Sequence, residues 1–195
     1  EDIASTCVYF KGESLLKMGK SVEAAKVFEE VKAKYPASTF YPYALLKLGS
    51  LYSDDSARTA EVLELYRTAA AKAGSARIGA EAVFQMAELH FKRKDYTQSA
   101  EAYKKLISQY PADSRSAEAK LQAGWANHHA GLYTDALNGA VEMLKGAVGD
   151  KKVEWVYLQA NCERQLMKND DAIQTYSRLL KEFPESPFAG AARYE

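Results

Sequence analysis

The feature that most constrains this chain is an internal repeat of about 37 residues. Small residues recur along the chain at intervals of 37, 38, 37 and 36, at Gly12, Gly49, Ala87, Gly124 and Ala160. We call these five residues the markers. An aromatic residue followed by proline recurs at about twice that interval, as Tyr35-Pro36, Tyr110-Pro111 and Phe183-Pro184. A constant period of this size predicts stacked supersecondary units rather than one or two globular domains.

Each unit has the pattern of two helices. Ala24, Phe28 and Val31 precede the first Tyr-Pro at offsets that keep them on one helical face. The proline then ends the helix, because it has no N–H to donate. Glycine inside a helix costs about 1 kcal/mol relative to alanine, so the glycine markers indicate close helix packing. The pattern predicts helices at 4–18, 21–34, 40–53, 58–73, 77–93, 96–109, 115–130, 133–147, 151–167 and 170–182, and another that begins near Phe188.

With these motifs in place, the sequence resembles the tetratricopeptide repeat (TPR) family. The segments 95–103 and 169–176 match the start of the second TPR helix, with a small residue followed by an aromatic one. The second repeat departs from the pattern at Glu61 and Ala73, and the fourth departs at Val148. The resemblance implies an all-α, right-handed α-solenoid that forms a single domain over 1–195. Its repeats are expected near 4–38, 39–76, 77–114, 115–150 and 151–187, with the start of a sixth at 188–195.

The recurring Tyr/Phe-Pro-x-Ser signature is similar to that of the bacterial cell-envelope TPR proteins, such as BamD of outer-membrane assembly and CpoB of the Tol-Pal system. This resemblance implies a non-enzymatic scaffold that binds a protein or peptide, in the bacterial periplasm or at the outer membrane. Three alternatives stay open: a cytoplasmic location, a helical accessory domain of a larger enzyme, and a self-assembling module that forms homo-oligomers.

Charge and hydropathy narrow the range of partners. The chain has 26 Lys+Arg and 26 Asp+Glu, and a zero net charge argues against nucleic acid or an anionic membrane as the main partner. No stretch approaches the roughly 18 consecutive apolar residues of a membrane helix, so we expect no direct membrane insertion.

The chain begins at Glu1 without a methionine and ends at Glu195 inside a helical pattern. We therefore expect a fragment of a longer protein.

The sequence predicts no cofactor, no metal site and no catalytic group. Cys7 and Cys162 lie at opposite ends of the repeat array, too far apart for a disulfide, which needs Cα atoms within about 7 Å. We expect both to be unpaired and buried, with a lipid-modified Cys7 as the alternative. Adjacent His128 and His129 point to different faces of a helix and lack the i, i+4 spacing of a zinc site. His90 is in phase with packing positions.

The candidate functional surface is the concave side, which the TPR resemblance assigns to the first helix of each repeat. Positions three before, one after and four after each marker lie on one helical stripe. Aromatic and arginine side chains dominate interface energetics, so this stripe suits an extended or helical peptide. The alternative is that its aromatic residues belong to the core between repeats. We predict that the partner-binding residues are Tyr9, Glu13, Tyr43, Phe84, Glu88, Phe91, Trp125, His128, Tyr157, Asn161 and Arg164.

The carboxylate clamp of chaperone-binding TPR domains is expected to be absent. Tyr9 and Glu13 stand where that Lys, Asn and Arg clamp would begin. We therefore do not expect binding to the acidic tails of the major cytosolic chaperones.

Overall fold

The computed structural model describes residues 3–194 and every side chain in that range except that of Asp150. The predicted outer limits, Glu1 and Glu195, lie outside it. The helices agree with the predicted ones to within 3 residues at each end. They are α1 (Ile3–Lys17), α2 (Ser21–Lys34), α3 (Tyr41–Tyr52), α4 (Thr59–Ala71), α5 (Ala76–Lys92), α6 (Tyr96–Gln109), α7 (Ser116–His129), α8 (Tyr133–Leu144), α9 (Asp150–Gln165), α10 (Asn169–Glu182) and α11 (Pro187–Ala192), with a 3-10 turn at Ser56–Arg58.

The helices form a linear stack. Each helix packs against the next one in the chain, and first helices of successive repeats also touch, as α3 with α5 and α7 with α9. The core is a series of hydrophobic clusters along this stack instead of one central core. This arrangement confirms the predicted all-α solenoid of TPR helix pairs. None of the helices in the described range is both long and apolar enough to cross a membrane.

The glycine markers are points of close helix approach, as predicted. A Cβ added at Gly12 would lie 2.6 Å from the ring of Phe28, and one added at Gly49 would lie 2.3 Å from the ring of Tyr66. Both rings are buried and belong to the second helix of the same repeat. The aromatic residue of the second helix therefore packs directly on the marker of the first.

The Tyr/Phe-Pro-x-Ser signature is a turn that starts the next repeat. The amide of Ser38 donates to the carbonyl of Tyr35 at 3.0 Å, and the third residue after Tyr110 and after Phe183 does the same at 3.0 and 3.1 Å. Proline is favoured at the second position of such a turn because its φ is already suitable. The hydroxyl of Ser38 also accepts from the amide of Phe40 at 3.1 Å. The signature thus fixes the direction in which the following helix leaves.

The link between the two helices of a repeat is a left-handed residue. Gly19, Lys94, Gly131 and Met167 have φ of 74°, 65°, 79° and 59°. Each donates its amide to the carbonyl three residues earlier, and the following amide reaches back five residues. This pair of hydrogen bonds ends a helix and satisfies its last carbonyl groups. The second repeat lacks it and uses the 3-10 turn instead, which Asp55 caps by accepting from the amide of Ala57.

The two cysteines are free, as predicted, but they differ in burial. Cys162 is buried, whereas Cys7 is exposed, so the predicted burial of Cys7 is wrong. The reason is its position in the stack. In the described part of the chain, α1 packs against α2 and also contacts Tyr43 and Lys47 of α3, and Cys7 lies on the side of α1 that these helices leave exposed.

Candidate protein-binding groove

The row three positions before each marker lies deepest in the stripe. Tyr9, Leu46 and Leu121 are buried, with 6, 9 and 8% of their surface exposed. Phe84 and Tyr157 are partly buried, and the ring of Phe84 meets that of Tyr103 at 5.8 Å in the core of the third repeat. The side chains of this row therefore pack mainly between helices. Their exposed parts lie at the bottom of the candidate groove.

A cleft of about 390 Å³ lies along α1, α3 and α5. Tyr43 lines it with 37% of its surface exposed, and its ring lies 6.1 Å from that of Tyr9. Glu13 forms an ion pair with Lys47 across α1 and α3 at 3.0 Å. Burial, together with the charge of Glu13, raises the pKa of Tyr9, so its hydroxyl stays neutral. Tyr9 and Tyr43 both line this cleft. Arg77 lines it as well, although the repeat phase did not predict a role for it.

A group of eight rings extends from the third repeat to α11. Trp125 lies at its centre, with its ring centroid 5.7 Å from that of His128 and 6.0 Å from that of Tyr157. Tyr157 in turn lies 4.9 Å from Phe188. His129 is exposed and the other members are partly buried. We call this group the central aromatic cluster, which consists of Phe91, Tyr96, Trp125, His128, His129, Tyr133, Tyr157 and Phe188.

One end of the central aromatic cluster lies between α5, α6 and α7. Phe91 meets Tyr96 edge-on at 5.3 Å and His129 edge-on at 5.6 Å. Tyr96 and His129 are stacked at 4.9 Å. The structure therefore brings together four predicted residues, Phe91, Trp125, His128 and Tyr157, and adds four that were missed. A signal for two of these was present, since Tyr96 and Tyr133 both open a second helix and are 37 residues apart.

His128 supplies an uncharged ring to this cluster. Both of its ring nitrogens are buried without a hydrogen-bond partner among the described residues. Burial lowers the pKa of His128, and the nearby positive charges of His129 and Arg164 lower it further. His128 is therefore neutral at pH 7. The rings of His128 and His129 are perpendicular, with an interplanar angle of 87°, because consecutive residues face different sides of α7.

The predicted polar residues have different roles. Glu88 is exposed and accepts a hydrogen bond from the hydroxyl of the buried Tyr103. Asn161 is buried, and its amide donates within its own helix to the carbonyl of Tyr157 at 2.8 Å. Arg164 lines a cleft of about 540 Å³ beside α10 and α11. Glu88 and Arg164 thus place charges at the surface, and the amide nitrogen of Asn161 is used within its own helix.

Metal and thiol chemistry have little support in this part of the molecule. Between residues 3 and 194 no group of three or more His, Cys, Asp or Glu side chains is arranged to hold a metal ion. Burial, with a smaller effect of Glu163, raises the pKa of Cys162 to about 12. Its thiol is therefore protonated at pH 7 and is a poor nucleophile.

Comparison with known families agrees with this architecture. Residues 77–195, more than half of the chain, match the family model of the outer membrane lipoprotein YfiO. The chain belongs to the YfiO family. A TPR family model also matches residues 11–38. Together the YfiO and TPR matches cover most of the first repeat and all of the last three.

Solved structures of TPR proteins share the fold of this YfiO-family chain. A TPR protein from Parabacteroides merdae is 19% identical with a TM-score of 0.76, over 97% of this chain and 70% of its own. MamA is 17% identical with a TM-score of 0.72, over 98% and 96%. YrrB, described as a TPR protein with an unusual peptide-binding site, is 13% identical with a TM-score of 0.73, over 96% and 91%. At these identities the similarity establishes the fold alone. No protein of curated function matches the sequence significantly.

Proposed function

We propose that this YfiO-family chain is a non-enzymatic scaffold that binds a protein partner along its central aromatic cluster, within a bacterial cell-envelope assembly. A TPR fold with a YfiO family match is that of a protein-interaction module. The observation that carries the proposal is a continuous set of partly exposed rings contributed by three successive repeats.

The chemistry of the central aromatic cluster suits a peptide or a helix of a partner. Partly exposed aromatic rings provide a large contact area at low entropic cost, and such residues form the energetic centre of interfaces. Arg164 on α9 and Glu88 on α5 add charges of opposite sign to the helices that carry this cluster. YrrB, which shares the fold, is described as having a peptide-binding site, and this supports the binding of a peptide by this chain.

The envelope location rests on the family. The matching family is described as an outer membrane lipoprotein, and the Tyr/Phe-Pro-x-Ser turns resemble those of envelope TPR proteins. Fractionation of the bacterium that encodes the chain tests this part separately. We expect the full-length protein in the envelope fraction, and recovery from the cytosol contradicts the location.

Site-specific photo-crosslinking tests the binding surface. A photoreactive phenylalanine analogue replaces Phe91 or Tyr157 in the full-length protein inside the cell, and Val22, which is 73% exposed on α2, is the control position. We expect one defined protein to be crosslinked from both cluster positions and not from Val22. Equal crosslinking from all three positions contradicts the proposal.

The crosslinked protein then serves as the purified ligand for an affinity measurement. Trp125→Ala should weaken its binding at least tenfold, because a central aromatic residue contributes about 2 kcal/mol or more to an interface. Val22→Ala should leave the affinity unchanged. Circular dichroism must show the same helicity for both variants. A folded Trp125→Ala variant with unaltered affinity overturns the assignment.

A further inference from the structure

The turn after the fifth repeat borders a cleft of about 560 Å³ that has an acidic lining. The cleft lies between the start of α9 and the connection from α10 to α11. Two of its walls are the rings of Phe183 and Phe188, and its charged lining residues are Glu154, Glu182 and Glu185. A space of this kind suits a long side chain with an apolar stem and a positively charged head.

Two of the three carboxylates have no cation of their own. Lys152 pairs with Glu182 at 2.8 Å, and its ammonium lies 5.7 Å from the centre of the Phe183 ring. The hydrogen bond from Lys152 lowers the pKa of Glu182, with smaller effects from two cations of α10. Glu154 and Glu185 form no ion pair with any side chain described between residues 3 and 194.

The third repeat shows which cation fits this position. Glu81 and Glu154 both lie six residues before their markers. Glu81 accepts a hydrogen bond from the guanidinium of Arg115, which belongs to the turn that follows the third repeat. The fifth repeat has Phe188 at the phase of Arg115. Its turn therefore supplies a ring where the turn of the third repeat supplies a guanidinium.

The first repeat has the same ring without the charge. Phe40 stands at the phase of Phe188, but the residue six before the marker is Thr6, so this turn needs no cation. In the fifth repeat, Glu182 and Glu185 add two further carboxylates at phases where the third repeat has uncharged residues. The fifth repeat thus has the carboxylates of a guanidinium site without the guanidinium.

The cleft is continuous with the central aromatic cluster. Phe188 belongs to both, and its ring lies 4.9 Å from that of Tyr157. A segment that lies along the cluster can therefore place one side chain in the cleft. A guanidinium suits the lining better than an ammonium does, because it is planar, stacks on aromatic rings and directs several N–H groups at carboxylates.

We propose that this cleft binds an arginine side chain of the protein partner. The guanidinium pairs with Glu154 and Glu185, and the methylene stem lies against Phe183 and Phe188. This inference rests on the proposed function, because it names a residue that the same partner presents beside the central aromatic cluster.

Titration with small arginine derivatives tests the cleft without the partner. The probe is N-acetyl-arginine amide, added to the 195-residue chain while backbone amides are followed by NMR. The comparators are N-acetyl-lysine amide and N-acetyl-citrulline amide, which has the shape of arginine but no charge. We expect saturable shifts at Glu154, Phe183 and Phe188 with the arginine derivative, and weaker binding of the lysine derivative. The citrulline derivative should bind about tenfold more weakly, since two ion pairs are lost.

A pair of substitutions in the cleft provides the matched test. Glu154→Gln combined with Glu185→Gln removes both charges and keeps the side-chain size, so it should weaken binding of N-acetyl-arginine amide about tenfold. Glu101→Gln is the control, because Glu101 is exposed on α6 and has no ion pair in the described chain either. Equal affinity for the arginine and citrulline derivatives, or undiminished binding to the folded double variant, overturns the proposal. So do shifts spread over carboxylates along the whole chain.

The crosslinked partner separates this inference from the proposed function. Absence of any partner crosslinked at the central aromatic cluster contradicts the proposed function, while the arginine titration still decides the chemistry of the cleft. A crosslinked partner should bind the double variant at least tenfold more weakly than the unchanged chain. Equal binding to both overturns the arginine assignment and leaves the proposed function standing.

Discussion

At the residue scale, the same small marker meets different neighbours in different repeats. Gly12 and Gly49 make room for an aromatic ring of their own repeat, whereas Gly124 makes room for side chains of the following repeat. The difference follows from Ala140, which supplies no ring. A glycine here is required by close approach and not by backbone conformation, because none of the three has a positive φ.

Replacement of Gly49 by alanine tests the close approach. The new Cβ would lie 2.3 Å from the ring of Tyr66, which is only 1% exposed and cannot move aside. We expect Gly49→Ala to lower the free energy of unfolding by about 1 to 3 kcal/mol, as overpacking does. Gly139→Ala is the matched control, because an added Cβ there meets nothing. It should raise the unfolding free energy by about 0.5 to 1 kcal/mol. Urea unfolding measures both, and equal effects would contradict the packing explanation.

His128 should make the fold less stable in mild acid. Burial lowers its pKa in the folded state, whereas the unfolded chain takes up the proton near pH 6.5. The unfolded state therefore binds more protons below that pH, and stability falls as the pH decreases from about 6.5. His128→Phe should flatten the pH dependence of the urea midpoint between pH 7 and 5. An identical slope in His128→Phe would refute this origin.

At the element scale, the repeats are joined by two kinds of turn. The turn inside a repeat depends on one left-handed residue, and the turn between repeats depends on the Tyr/Phe-Pro motif. Glycine takes the left-handed conformation without a steric cost, but Lys94 and Met167 carry a Cβ in that position. The helix pairing in the third and fifth repeats is thus kept at the cost of local backbone strain.

Met167→Gly should relieve that strain. Met167 is 79% exposed with φ of 59°, so its side chain contributes little packing. We expect the substitution to raise the free energy of unfolding by about 0.5 to 1 kcal/mol. Gly19→Ala is the reciprocal control, because Gly19 has φ of 74° and open space around it. It should lose about 1 kcal/mol. Thermal unfolding of the two variants checks this, and a destabilised Met167→Gly would show that the methionine side chain matters more than its backbone.

At the scale of the whole molecule, stability is distributed along the stack. The core consists of clusters that follow one another from α1 to α11. In such a solenoid, each repeat is stabilised by itself and its neighbours, so distant repeats are only weakly coupled. Damage to one cluster should therefore remain local.

Trp155→Ala tests this local character. Trp155 is buried in the cluster that joins α7, α8 and α9, and its truncation should cost about 3 to 5 kcal/mol. We expect hydrogen exchange to show lost amide protection in α7–α10, whereas α1–α4 keep theirs. Tyr66→Ala should give the reverse pattern. Uniform loss of protection along the chain in either variant would mean that the solenoid unfolds as one cooperative unit.

The sequence by itself determined the helices, their pairing and the repeat phase. These features depend on a local periodicity that occurs five times. A helix that is poorly marked in one unit can therefore be placed by comparison with the other units. The markers, the Tyr/Phe-Pro turns and the departures at Glu61 and Val148 were all readable in this way. The stripe that carries Trp125 also followed from phase alone, because helical geometry fixes which residues share a face.

Only the tertiary structure decided how deep each residue of the stripe lies. Tyr9 and Trp125 both belong to the stripe, yet Tyr9 is buried and Trp125 is partly exposed, because depth depends on how neighbouring helices fit together. The exposure of Cys7 and the entry of His129 into the central aromatic cluster have the same cause. Ala140 was visible in the sequence, but only packing could show that Leu158 and Trp155 of α9 approach Gly124 in place of a ring from its own repeat. Periodicity specifies direction, whereas the space between helices is set by all the side chains that share it.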